Sequence, residues 1–168
     1  MYGLIIVLLV VNWSIYKKEE LLESGEVVFL KLAPVDPRSL MQGDYMALRF
    51  VVANQIRIGL KEKRLMASTE FKNRSIDGLV YVQLDERGVA SFVSIVEEGI
   101  SKEAIANKST ALQFRLRKGR VKFATNAYFF EEGRGKKLAT AAYGKFRVNH
   151  DGELLLVTLH DKNLKELG

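Results

Sequence analysis

Phe114-Arg-Leu-Arg-Lys-Gly-Arg-Val-Lys-Phe123 carries the sharpest hairpin pattern in the chain. Two short runs, Phe114 to Arg117 and Arg120 to Phe123, flank Lys118-Gly119. Apolar and basic residues alternate in each run, the period-two pattern of a half-buried strand. A two-residue turn ending in glycine between such runs signals a β-hairpin. Closing the turn there sets Arg117 opposite Arg120 and Arg115 opposite Lys122. Leu116 with Val121, and Phe114 with Phe123, then share the other face.

The same signals recur on either side. Leu79 to Leu84 and Val89 to Ile95 flank the four-residue loop Asp85-Glu-Arg-Gly88. Lys145 to Val148 and Glu153 to His160 flank Asn149-His-Asp-Gly152, where Asp-Gly is a strong turn dipeptide. Glu26 to Leu32 is rich in strand formers, and Tyr45 to Ala53 reads the same way. Gln55-Ile-Arg-Ile-Gly-Leu60 alternates as a half-exposed strand would. Lys61 to Asp77 and Glu97 to Thr110 are polar and without a clean period, so loops are expected there, the first with room for a short helix. The Ala-rich Leu138 to Tyr143 is the best short helix of the domain. These readings predict a mainly β, mostly antiparallel sheet or barrel-like domain over 25–168, with one or two short helices.

An apolar helix is expected ahead of it. Met1 to Tyr16 carries no charged side chain, Leu4 to Val11 is unbroken aliphatic, and Lys17-Lys18-Glu19-Glu20 ends the run. Sixteen helical residues reach about 24 Å, against a hydrocarbon core about 30 Å thick. Trp13 and Tyr16 suit the headgroup zone, and Lys17 and Lys18 can snorkel to it. No basic start and no small-x-small cleavage site mark a signal peptide. An apolar surface on every side also argues against a buried amphipathic helix. Residues 1–24 are therefore expected to form a single-pass membrane anchor, with Gly25 as its stop. The marginal span and the missing basic flank lead us to expect sequence upstream of Met1. Lys17 and Lys18 hint that the domain is cytoplasmic, but Glu19, Glu20 and Glu23 oppose them at once.

Composition bounds the rest. At 168 residues and 48% hydrophobic content the chain can bury one real core. With no cysteine, disulfides, thiol nucleophiles and cysteine metal sites are excluded. The net charge of +6 suits an anionic membrane surface or another polyanion.

Ala33-Pro-Val-Asp-Pro-Arg-Ser-Leu-Met-Gln-Gly-Asp-Tyr-Met-Ala-Leu-Arg-Phe50 holds the chain's only two prolines, Pro34 and Pro37. Each pushes the residue before it toward extended geometry, and Gly43 permits a bend before Asp44. Gly43-Asp44-Tyr45, then Leu48 and the ring at position 50, resembles the Gly-Asp-Tyr-x-x-Leu-x-Tyr signature of the bacterial GDYXXLXY protein family. Phe50 stands where the signature has Tyr, keeping the ring and losing the hydroxyl. Val80-Tyr-Val-Gln-Leu84 and Tyr128-Phe-Phe-Glu-Glu-Gly-Arg-Gly135 also resemble the family. The resemblance carries no assigned activity. It implies a small membrane-anchored protein, a multi-pass membrane partner and an extracytoplasmic domain. Its interaction surface would comprise Asp36, Pro37, Arg38, Gly43, Asp44, Tyr45, Leu48, Tyr128, Glu131 and Gly133.

Candidate chemistry is sparse. Asp36 and Arg38 can pair with each other or hold a ligand, but a self-contained turn explains them as well. Leu40-Met-Gln-Gly-Asp44 is similar to a segment of type I signal peptidases, yet the nucleophilic serine position is Val35, so serine-protease chemistry is set aside. Asp44, Asp85, Glu131, Glu132 and Asp151 are candidate carboxylates, with solvated loop charge as the simpler reading. His150 and His160 have no second ligand at a recognisable spacing, so neither a metal nor a cofactor is expected. Gly133-Arg-Gly-Lys-Lys137 lacks the full spacing of a phosphate loop. Arg115, Arg117, Arg120 and Lys122 crowd one hairpin face and need a compensator: an acidic neighbouring strand, anionic lipid or another polyanion. No aromatic alternates with them, which disfavours single-stranded nucleic acid.

The function expected is a non-catalytic, membrane-anchored envelope protein that binds or assists a membrane partner. The alternatives are a hydrolase using Asp36, Asp44 or Glu131, and a basic hairpin that binds anionic lipid or another polyanion.

Overall fold

The computed structural model describes residues 2–34, 41–42, 45–62, 75–97 and 109–167. Its elements run α1 (Tyr2–Ser24), β1 (Glu26–Lys31), β2 (Met41–Gln42), β3 (Tyr45–Ala47), α2 (Val51–Glu62), β4 (Ile76–Leu84), β5 (Ala90–Glu97), β6 (Thr110–Arg117), β7 (Arg120–Lys122), β8 (Ala127–Phe129), α3 (Gly135–Leu138), β9 (Tyr143–Val148) and β10 (Leu154–His160). The protein is mainly β. Its ladders are antiparallel and form three sheets, in orders β1–β9–β10, β2–β3–β8 and β5–β4–β6–β7. Single contacts join the sheets at their edges. The Phe29 N–H donates to Gly88 (2.9 Å), Leu32 bridges Phe50, and the Gln113 N–H donates to Gly152 (2.7 Å).

The β6–β7 hairpin has the register read from its sequence: Arg117 opposite Arg120, Leu116 opposite Val121, Arg115 opposite Lys122. Lys118 and Gly119 both take positive φ, 51° and 71°, the turn whose twist matches paired strands. Two further hairpins, β4–β5 and β9–β10, close on the same type of loop as each other. In each, the first residue's side chain accepts two backbone N–H groups: Arg87 and Val89 on Asp85, and Asp151 and Glu153 on Asn149. Asp161 repeats the arrangement after β10 with Asn163 and Lys165.

Phe50 lies at the centre of the core, fully buried, with Phe123 and Phe146 edge-on at centroid distances of 5.8 and 5.4 Å. Val28 and Leu30 from β1, Leu112, Phe114 and Leu116 from β6, and Leu159 from β10 close around the same core.

Three expectations need correction. Gln55 to Leu60 is not a strand but part of helix α2, and the strand expected over Tyr45 to Ala53 stops at Ala47. The buried residues of α2 are Val52, Ile56 and Leu60, spaced by four, whereas Ile58 faces solvent. The apparent alternation of Ile56, Ile58 and Leu60 is one face of a helix plus one exposed residue. The Ala-rich helix lies earlier than expected, over Gly135–Leu138. Past it, the Ala142 N–H donates to the His160 carbonyl (2.8 Å), so the sheet claims the backbone there.

Helix α1 ends where expected, at Gly25. A Cβ there would collide with the Leu21 carbonyl oxygen and crowd Arg147. The last turns of α1 are fastened to the β9–β10 hairpin. Leu21 is buried, Lys18 pairs with Glu153, and Arg147 Nη1 donates to the Gly25 carbonyl (2.8 Å). Farther up, the helix leaves the domain. From Ile5 to Tyr16 its large apolar residues whose side chains are described are 49–65% exposed. No helix among the described residues is long and apolar enough to cross a membrane, because charged residues from Lys17 to Glu23 occupy the last two turns of α1.

Candidate functional site

Two of the segments that carry the family resemblance meet as neighbouring strands. Strand β3 pairs with β8 in the register Tyr45–Phe129, Met46–Tyr128, Ala47–Ala127. The pairing extends one step, where the Leu48 N–H donates to Asn126 (2.7 Å). Facing residues on paired strands share a side. Met46 is buried and Tyr128 packs on the core, while Tyr45 and Phe129 turn to the other side. Their rings approach to 6.0 Å, and Phe129 is 76% exposed. Phe129 is the most exposed of the large hydrophobic side chains described.

The signature residues therefore divide by role. Leu48 and Phe50 are buried in the core. A tyrosine hydroxyl at position 50 would need a partner inside that core, and phenylalanine removes the need. Tyr45 is half-buried on the opposite side of β3 from Met46. Asp36, Pro37, Arg38, Gly43 and Asp44 lie outside the described residues. Glu131 and Glu132 are exposed, and the Glu131 carbonyl accepts the Arg134 N–H (3.2 Å) across a turn in which Gly133 takes φ +87°. A tight, solvated turn accounts for this segment, as its spacing suggests.

The basic hairpin is partly compensated by its neighbour. Asp77 on β4 lies opposite Arg115, and its carboxylate pairs with Arg117 (2.8 Å). Arg117 also donates to the Ile76 carbonyl (3.2 Å). The Arg117 hydrogen bond holds the Asp77 carboxyl below the ordinary range. Arg115, Arg120 and Lys122 have no ion-pair partner among the described residues.

The remaining candidates are accounted for by local structure. Two backbone N–H groups, that of Val89 foremost, hold the Asp85 carboxyl below its usual value, and Lys165 and Asn163 do the same for Asp161. Asp151 lies beside His150 (3.6 Å) on an exposed turn. His160 is buried, its Nδ1 donating to the Leu164 carbonyl (2.9 Å) and its ring edge-on to Phe29 (5.1 Å). Among the described residues no three His, Asp or Glu side chains gather to hold a metal.

Phe129 is the surface residue that sequence reasoning left off the site. Its signal is the alternation in Ala127-Tyr-Phe129, legible once β8 is known to be a strand with Tyr128 inward.

The architecture defines a class: a small antiparallel β protein led by a projecting apolar helix, with an aromatic pair where the Gly-Asp-Tyr strand meets the Tyr128 strand. The chain belongs to the GDYXXLXY protein family, whose sequence profile matches residues 7–159. No curated protein and no solved structure matches the chain.

Proposed function

We propose that this protein is a membrane-anchored, non-catalytic envelope protein that presents its β3–β8 face to a membrane partner. The observation that carries the reading is the apolar half of α1, which projects from the domain with its hydrophobic side chains exposed. Such a surface is unfavourable in water by roughly 25 cal/mol per Å². Entry into a bilayer removes that cost. Residues 2–16 reach about 22 Å along the helix axis, deep into one hydrocarbon core. Trp13, Tyr16 and Lys17 then lie near the interface, the order usual for such residues. Trp13 and Tyr16 are in ring contact (6.5 Å), and the Lys17 ammonium lies over the Trp13 ring (5.8 Å).

The fastened base of α1 supports the same reading. Lys18, Leu21 and Arg147 fix the helix to the domain, so insertion also positions the β domain at the surface. The exposed Phe129 ring, with Tyr45 packed beside it, is then the aromatic surface offered to a partner. The family resemblance supports an extracytoplasmic β domain. A hydrolase would rely on Asp36, Asp44 or Glu131, and the described one, Glu131, lies exposed on a turn.

The test is co-purification in mild detergent. The full chain is expected to bring down a membrane protein that a Tyr45→Ala/Phe129→Ala double variant leaves behind. Equal recovery with both chains, or no membrane protein with either, overturns the reading. Sidedness is read by single-cysteine labelling, since any cysteine added to this chain is unique.

A further inference from the structure

We propose that the β8 edge at Phe129 receives an extended segment of another polypeptide by strand addition. The inference rests on the partner-binding reading above and specifies its mode. Antiparallel pairs alternate between residues that exchange backbone hydrogen bonds and residues that do not. The Leu48 N–H donates to the Asn126 carbonyl (2.7 Å), which fixes the alternation. Asn126 and Tyr128 bond toward β3, so Ala127 and Phe129 turn their N–H and C=O groups away from it.

β8 is the outer strand of its sheet, and the two outward positions differ. At Ala127 both groups are spent on Thr125: the N–H donates to Oγ1 (3.2 Å), and that hydroxyl donates to the Ala127 carbonyl (2.9 Å). At Phe129 no such cap exists among the described residues. An outward donor and acceptor therefore stand beside a ring that is 76% exposed. Backbone groups recognise a strand through hydrogen bonds, and an adjacent ring covers one of its side chains. Proteins commonly blunt open edges; here the Thr125 hydroxyl blunts one position and leaves the next open.

A second copy of the chain fits this edge less well. Two-fold pairing centred on Phe129 would set each Glu131-Glu132 turn against the other copy's Thr125–Ala127 corner, whose outward groups are already used. An uncapped strand from a different polypeptide meets no such corner.

The experiment uses the full chain in detergent micelles and three probe peptides of matched length. One is an extended Thr-Val repeat, one is the same repeat N-methylated at every residue, which removes the donors of both edges, and one is an Ala-rich helical peptide. The plain repeat is expected to bind and to slow amide exchange at Phe129. N-methylation weakens binding at least tenfold, and the helical peptide does not bind. Phe129→Ala, which keeps the backbone groups, weakens binding without abolishing amide protection. Equal binding by all three peptides, no binding at millimolar concentration, or concentration-dependent dimers protected at Phe129 would each overturn the proposal. If partner recovery still depends on the Tyr45 and Phe129 rings while the peptides fail, strand addition is wrong and the docking face stands.

Discussion

Replacing Phe50 by alanine tests whether this signature position is a packing position. Phe50 is fully buried, and two rings meet it edge-on. Truncating a buried phenylalanine costs about 3–5 kcal/mol, including the cavity left behind. Each edge-to-face pair lost accounts for about 0.5–1.5 kcal/mol of that. The surroundings are poorly placed to collapse. Gly144 already brings the backbone close, since a Cβ there would sit 3.2 Å from the Phe50 ring and 3.1 Å from the Phe146 ring. The upper half of the range is therefore expected, about 4 kcal/mol. For a chain of this size that lowers the melting temperature by roughly 8–16 °C. The assay is urea and thermal unfolding of the full chain in micelles, followed by far-ultraviolet circular dichroism. Phe50→Tyr is the companion variant: an unsatisfied hydroxyl in the same place costs about 1–3 kcal/mol. A loss below about 1 kcal/mol for Phe50→Ala would refute the reasoning, because peripheral sites typically show losses that small.

Other outcomes follow from single features. Lys118→Asn should stabilise the β6–β7 hairpin by about 0.5–1 kcal/mol, since Asn tolerates the positive φ that Lys118 adopts; unchanged unfolding would contradict the assigned turn. The Asp77–Arg117 pair is 57% and 38% exposed at its two side chains, so a double-mutant cycle should return less than about 1 kcal/mol, reduced further by salt. Asp77, Asp85 and Asp161 all have carboxyls held below their usual value in the folded protein. Their stabilising contributions are thus complete above the unfolded-state value near 4 and disappear as pH falls through the lower folded-state values. Melting temperature should accordingly drop on acidification below about pH 4, less steeply for Asp85→Asn, and an unaltered slope in that variant would contradict the turn-capping role.

The parts of the fold legible in the sequence are those set by short-range chemistry. Lys118-Gly119 and Asp151-Gly152 announce their turns, and a turn fixes the register of the strands beside it. Helix α2 was not legible, because Ile56, Ile58 and Leu60 satisfy a period of two as well as Val52, Ile56 and Leu60 satisfy a spacing of four. Only packing against the sheet decides between them, and that is a long-range fact. The same limit applies to the site. The Tyr45 and Tyr128 segments can each be recognised along the chain, but their pairing spans more than eighty positions, and the pairing is what turns Phe129 outward. For the basic hairpin face the sequence leaves an acidic strand, anionic lipid and another polyanion all open; naming Asp77 as the partner of Arg117 requires the β4–β6 register.

The apolar half of α1 is expected to enter a bilayer, and the chain carries its own reporter. Trp13 is the only tryptophan in the sequence, and it projects from α1 exposed to solvent. Its emission should shift to the blue when the full chain is transferred from dilute detergent into anionic phospholipid vesicles. Lipids brominated near the headgroup should quench it more strongly than lipids brominated near the chain ends. Emission that vesicles leave unchanged, with the protein remaining outside the floated lipid, would contradict the account.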